Sequence, residues 1–121
     1  ALFKQDFSVE ETRANYDFYS YYTEHGSSLS ASMYSSCALK VGDIDTAYNM
    51  FRKSSGIDLG TNQKMFAGGI YIGGTHPASN AGSYIATVLG FSGLTLTSDG
   101  IKFNPHFPKG WKKIEYKYYY F

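Results

Sequence analysis

A run of small hydrogen-bonding residues, His25-Gly26-Ser27-Ser28-Leu29-Ser30, leads into a segment of apolar periodicity. Two adjacent hydroxyls and a glycine at a helix start direct several backbone N–H groups toward one point in space. That arrangement suits an oxyanion such as phosphate. Taken alone, such a run is more often an ordinary helix cap. A second stretch with chemical potential is the glycine-rich loop from Gly68 to His76, which precedes a helical pattern from Ser79 to Phe91. His106, between Pro105 and Pro108, reads as a connector residue.

The bulk composition narrows the setting. A chain of 121 residues with 43% hydrophobic content is globular and ordinarily one domain. A net charge of +1 supplies no basic patch, so no nucleic-acid partner is expected. No apolar run approaches the roughly 20 residues of a membrane span, so no membrane partner is expected. The lone cysteine, Cys37, excludes an internal disulfide and suits a reducing, cytoplasmic compartment. No metal site is expected. Aromatics are abundant, with 12 Tyr and 9 Phe beside one Trp, a composition that suits both sugar stacking and wet interfaces.

The elements that must position the candidate residues can be read in order. Ser8 and Glu11 have capping-box spacing, opening a helix with Tyr16, Tyr19 and Tyr22 on one face. Residues 23–26 break it, and Ser27 or Ser28 caps a second helix with Leu29, Met33, Cys37 and Ala38 inward. The small residues Ala31, Ser32, Ser35 and Ser36 predict close packing. Gly42 ends this helix and Asp43 caps a third, carrying Ile44, Ala47, Tyr48, Phe51 and Ser55 at helical spacing up to Gly56. The pair forms an αα-hairpin. Residues 57–77 show no helical period, and an unstructured loop of that length is usually functional in a compact domain. Ser79 or Asn80 caps a fourth helix, apolar almost all round, which Gly90 and Gly93 end.

From Leu94 the period becomes two. Leu94 to Thr97 and Ile101 to Phe103 alternate around a Ser98-Asp99-Gly100 turn, and Ile114 to Phe121 reads as a further strand. Trp111 is expected to anchor the strand-rich tail to the helices. Helices come first and strands last, the fourth helix needs more neighbours than this chain supplies, and the tail ends in an aromatic strand. The residues therefore read as part of a larger protein.

The runs YYTEHGSSLSASMYSSCALKVGDIDTAYNMFRKSSGIDL, GGTHPASNAGSYIATVLGFSGL and DGIKFNPHFPKGWKKIEYKYYY together resemble the C-terminal third of glycoside hydrolase family 65. That family holds maltose, trehalose, kojibiose and nigerose phosphorylases and some hydrolases. The resemblance implies a mainly α fold with a β tail: residues 1–93 as the last helices of an (α/α)6 catalytic barrel, and 94–121 as the first strands of a C-terminal β-sandwich. The family pattern T-x-H-x-S-S-L-S falls on Thr23, His25, Ser27, Ser28, Leu29 and Ser30. In the phosphorylases its serines hold phosphate. The family's phosphate-contacting histidine stands six residues before a G-[ST]-[WY] motif, which is Gly82-Ser83-Tyr84 here, so the match is His76. Tyr84 stands where Trp is more usual.

The resemblance thus implies phosphate binding by Ser27, Ser28 and His76, supported by Thr23, His25 and Gly82. The reaction implied is inverting phosphorolysis of an α-glucosidic bond, giving β-glucose 1-phosphate. A hydrolase needs two carboxylates, whereas phosphate is already a nucleophile and only has to be aimed. The family's general acid is a glutamate upstream, so no catalytic carboxylate is expected in this segment and the isolated chain should be inactive. No cofactor is expected beyond inorganic phosphate as co-substrate. Expected partners are an α-linked glucose disaccharide, phosphate and the remainder of the catalytic domain, with a homodimer as a further expectation. The alternatives are a family 65 hydrolase, in which Glu24 could serve as base, and a non-catalytic carbohydrate-binding or interaction fragment.

Overall fold

The computed structural model describes residues 7–59, 66–67, 70–71, 74–117 and 119. It is mainly helical, with two small antiparallel hairpins. Helix α1 spans Val9–Tyr22, α2 Ser30–Lys40 and α3 Ile44–Ser55. Strands β1 (Phe66–Ala67) and β2 (Ile70–Tyr71) pair within the segment expected to be unstructured. Helix α4 (Pro77–Ile85) runs into a π-helical turn over Ala86–Phe91, and β3 (Thr95–Thr97) pairs with β4 (Gly100–Lys102). No helix among the described residues is long and apolar enough to cross a membrane.

Local chemistry explains most helix ends. The Ser8 hydroxyl accepts the Glu11 N–H at 3.1 Å, and the Glu11 carboxylate accepts the Ser8 N–H at 2.8 Å, closing the expected capping box. Gly42 adopts φ 79°, and the Asp43 carboxylate accepts the Thr46 N–H at 3.1 Å, so the α2–α3 connection is as the sequence predicts. Two starts differ. The residue flanking α2 is Leu29, without a side-chain cap, because Ser27 spends its hydroxyl one step earlier on the Leu29 N–H. Helix α4 begins at His76-Pro77, not at Ser79 or Asn80. Proline suits a first helical position, and Ser79 is drawn inward to other hydroxyls.

The core is small. Ala38, Leu39, Ala47 and Phe91 are buried together, with Tyr16, Tyr48, Phe51, Trp111 and Ile114 packed around them. Burying a Phe91-sized side chain contributes about 1.5–3 kcal/mol. The inward face of α2 is Ser32, Ser35, Ala38 and Leu39, whereas Leu29, Met33 and Cys37 lie at its margins. Small side chains win that face because neighbouring backbones come close to it. Gly90 does not end the last helix but sits within the π-helical turn, where an added Cβ would lie 2.6 Å from Leu39 Cδ1.

Helix α4 and its extension are not apolar all round: Tyr84 and Leu89 are exposed, and the buried face includes Ser79 and Ser83. Those two meet Ser54 of α3 in a buried hydroxyl cluster, with Ser54 Oγ 3.1 Å from Ser79 Oγ and 2.5 Å from Ser83 Oγ. Fully paired buried hydroxyls fix register where an apolar contact would tolerate sliding.

The tail folds back on the helices. Gly93 turns the chain with φ 63°, the His106 N–H donates to the Phe91 carbonyl at 2.8 Å, and Trp111 lies among Tyr48, Phe51 and Phe91. The expected anchoring by Trp111 is present. The strand expected from Ile114 is not: described residues 114–117 and 119 carry no strand. Ile114 instead packs on the core and Tyr116 Oη lies 2.9 Å from Ser92 Oγ, so these side chains face the helices individually.

Candidate functional site: two helix starts at one end

Helices α2 and α4 run parallel. A Cβ on Gly82 would strike Ser32 and approach Met33, near the start of α2, while Gly90, two turns on, meets Leu39 near its end. Helix α3 runs back between these levels, bringing Ser54 to Ser79 and Ser83. The N-terminal ends of α2 and α4 and the C-terminal end of α3 therefore share one end of the bundle. Ser27 and Ser28 lead into the first of these, and His76 flanks the second. Two helix N-termini pointing the same way place partial positive charge and N–H donors at that end.

Each expected site residue can be located. Thr23 Oγ1 donates to the Tyr19 carbonyl at 2.7 Å, so its lone pair is what meets the Tyr34 hydroxyl. His25 holds a left-handed backbone, φ 52°, which is uncommon outside glycine. Its Nδ1 lies 2.8 Å from Ser30 Oγ, and its ring meets Tyr34 edge-on at 4.5 Å. Burial, and secondly the charge of Lys53, lower the His25 pKa, so the neutral ring is favoured there. Thr23 and His25 thus fix the approach to α2 through Tyr34 and Ser30.

Ser27 is exposed; its hydroxyl accepts from Leu29 N–H at 3.3 Å and its carbonyl from Ser30 N–H at 3.1 Å. Ser28 is half-buried, and its side chain forms no hydrogen bond among the described residues. Gly82 is the contact point of α4 on Ser32. Glu24 is exposed beside the run.

His76 has a partner that the sequence reading did not identify. Its Nδ1 lies 2.7 Å from Asp58 Oδ1, and its backbone N–H donates to Asp58 Oδ2 at 2.9 Å. Asn80 Nδ2 donates to the same Oδ2 at 2.7 Å. The Asp58 pKa is lowered, first by the His76 N–H bond and then by the His76 ring. Asp58 follows α3 by three residues and lies 18 before His76, a separation that carries no local signal. An aspartate just past a helix stop was the available clue.

Among the described residues no group of three or more His, Cys, Asp or Glu side chains is arranged to hold a metal. A groove of about 1140 Å³ runs between α1, α2 and the tail, lined by residues such as Tyr16, Tyr34, Leu39, Leu89 and His106. It takes in none of Thr23, His25, Ser27, Ser28, His76 and Gly82.

Comparison with known proteins gives a consistent result. Residues 1–83 match the family model described as glycosyl hydrolase family 65 central catalytic domain. The chain is 40% identical over 119 residues to a nigerose phosphorylase of Lachnoclostridium phytofermentans, covering 98% of this chain and 16% of that protein. It is 40% identical over 120 residues to a kojibiose phosphorylase of Caldanaerobacter subterraneus subsp. tengcongensis, with 98% and 15% covered. Among solved structures, a putative kojibiose phosphorylase from human microbiome superposes with a TM-score of 0.71 at 34% identity, over 88% of this chain and 15% of that one. The chain therefore spans about a sixth of the length of the curated relatives it matches. With the family model covering 83 of 121 residues and relatives at 40% identity, the chain belongs to glycosyl hydrolase family 65.

Proposed function

We propose that this chain is the phosphate-binding part of an inverting disaccharide phosphorylase. The parent protein cleaves an α-glucosidic bond with inorganic phosphate and releases β-glucose 1-phosphate. Residues 1–93 complete an (α/α)6 barrel and 94–121 begin a β-sandwich. Ser27 and Ser28 donate hydrogen bonds to phosphate oxygens, with N–H groups at the start of α2. His76 approaches the same anion from the start of α4, adding a charge-assisted bond when its ring carries a proton. Thr23 and His25 hold the serine run in place, and Gly82 keeps α4 seated on α2. The general acid is a glutamate elsewhere in the parent chain, and no cofactor takes part.

The observation that carries this reading is the parallel run of α2 and α4, which brings the serine run and His76 to one end of the bundle. Relatives named as phosphorylases of nigerose and kojibiose support an α-glucosyl disaccharide as substrate. The test is disaccharide cleavage by the parent protein with and without phosphate. Cleavage should require phosphate, and Ser28→Ala or His76→Ala should raise the KM for phosphate by about 10- to 100-fold, the loss expected for a hydrogen bond to a charged group. Equal rates in both buffers would exclude phosphorolysis.

A further inference from the structure

Resting on the phosphate reading of His76, the geometry points to Asp58 as the residue that positions His76. It holds the proton on Nδ1 and turns Nε2 toward the anion. Asp58 touches neither phosphate nor sugar in this arrangement; it acts through the imidazole.

The bond at Nδ1 decides the tautomer. A carboxylate accepts only, so the 2.7 Å contact between Asp58 Oδ1 and His76 Nδ1 requires the hydrogen to sit on that nitrogen. Nε2 has no hydrogen-bond partner among the described residues. It is therefore the nitrogen left to meet a ligand, and a proton arriving there creates a donor to an anion. Three donors converge on Asp58: the His76 ring, the His76 N–H and the Asn80 amide. They fix the carboxylate from three directions and so fix the plane of the ring it holds. The His76 ring is the more covered partner, with 9% of its side chain exposed, whereas Asp58 stands at the surface and is held there by these bonds. The two residues approach from different elements, Asp58 from the end of α3 and His76 from the start of α4. The ring orientation thus depends on the register fixed by the serine cluster of Ser54, Ser79 and Ser83.

A helix cap alone would use the backbone N–H and leave the ring unconstrained, so the two roles separate experimentally. The experiment uses the full-length parent protein with inorganic phosphate, and compares Asp58→Asn, His76→Ala and the double variant. Asp58→Asn keeps the shape and a carbonyl for the His76 N–H while removing the anion. It should raise the KM for phosphate about 10-fold, the order of loss that removing the carboxylate partner of a metal-bound histidine produces. The KM for the disaccharide should stay within about twofold, and the double variant should be no worse than His76→Ala, because the two residues act in series. Asp58→Glu should recover part of the loss. If His76→Ala raises the phosphate KM and Asp58→Asn does not, this assignment falls alone. The same holds if the two losses multiply in the double variant. If His76→Ala leaves the phosphate KM unmoved, the underlying phosphate reading fails, and this assignment with it.

Discussion

Gly82 sits so tightly on Ser32 that a Cβ added to it would stand 2.1 Å from the serine Oγ and 2.7 Å from its Cβ. Ser32 is fully buried and its hydroxyl already donates to the Leu29 carbonyl, so it has no open space to move into. Alanine normally stabilises a helix interior over glycine by up to about 1 kcal/mol. Here the overlap reverses that sign. Gly82→Ala is expected to cost about 1–3 kcal/mol through overpacking. A lowered thermal midpoint, with the N-terminal ends of α2 and α4 forced apart, is the result to look for. An unchanged or raised midpoint would mean the two helices are not in this contact.

Gly93 carries a stricter demand. Its φ is 63°, and an added Cβ would lie 1.9 Å from the backbone oxygen of Asn104, which cannot swing aside as a side chain can. Gly93→Ala should lose about 2 kcal/mol or more, from the left-handed backbone and the overlap together. Gly42 and Gly100 offer the contrast, since both have positive φ but nothing within 4 Å of an added Cβ. Their alanine variants should show the backbone cost alone. Denaturant midpoints of the three variants rank them directly.

Asp43 ties α3 to α1. Its carboxylate caps Thr46 and accepts from the Tyr16 hydroxyl at 3.3 Å. Burial pushes its pKa up, but bonds from the Thr46 side chain and backbone and from Tyr16 outweigh this and hold it below the ordinary 3.8. A carboxyl whose folded pKa lies below its unfolded one contributes stability that is complete above the unfolded value. That contribution fades as pH falls through the folded value. Asp43→Ala should cost about 1 kcal/mol at neutral pH, the usual worth of a cap. It should also flatten the acid unfolding curve below pH 3.8, as followed by far-ultraviolet circular dichroism.

His25 acts at higher pH and with the same sign for a different reason. Burial and the nearby Lys53 charge disfavour its imidazolium, so the folded state binds a proton less readily than the unfolded chain, whose imidazole titrates near 6.5. The chain should therefore lose stability as pH drops below about 6.5, where the unfolded state takes up a proton first. Asparagine tolerates φ 52° and does not titrate, so His25→Asn should keep the fold and reduce that slope. Thermal midpoints measured from pH 7.5 down to about 5.5 check it. An identical slope in both proteins would mean His25 is not shielded.

Where the sequence speaks plainly, a short-range rule is at work. The Ser8–Glu11 box, the Gly42-Asp43 corner and the Ser98-Asp99 turn between β3 and β4 each rest on residues no more than four apart, and all are present. The starts of α2 and α4 differ from the spacing rule because a serine in sequence does not announce its partner. Ser27 turns to Leu29, and Ser79 leaves the helix start for Ser54, 25 residues away. The inward face of α2 is Ser32, Ser35, Ala38 and Leu39 and not Met33 and Cys37, because periodicity rewards size, whereas close helix contact rewards smallness. Asp58 escaped notice for a related reason: its meaning depends on His76, and only the return of α3 alongside α4 brings them together.

Trp111 is the chain's single tryptophan, and it is wedged among Tyr48 and Phe51 of α3 and Phe91 beyond α4. Its indole fluorescence within this chain therefore reports one event, the lifting of the tail from the helices. A red shift that precedes loss of helical signal would reveal detachment of residues beyond 93 as a separate step. A coincident change would make tail and bundle one cooperative unit.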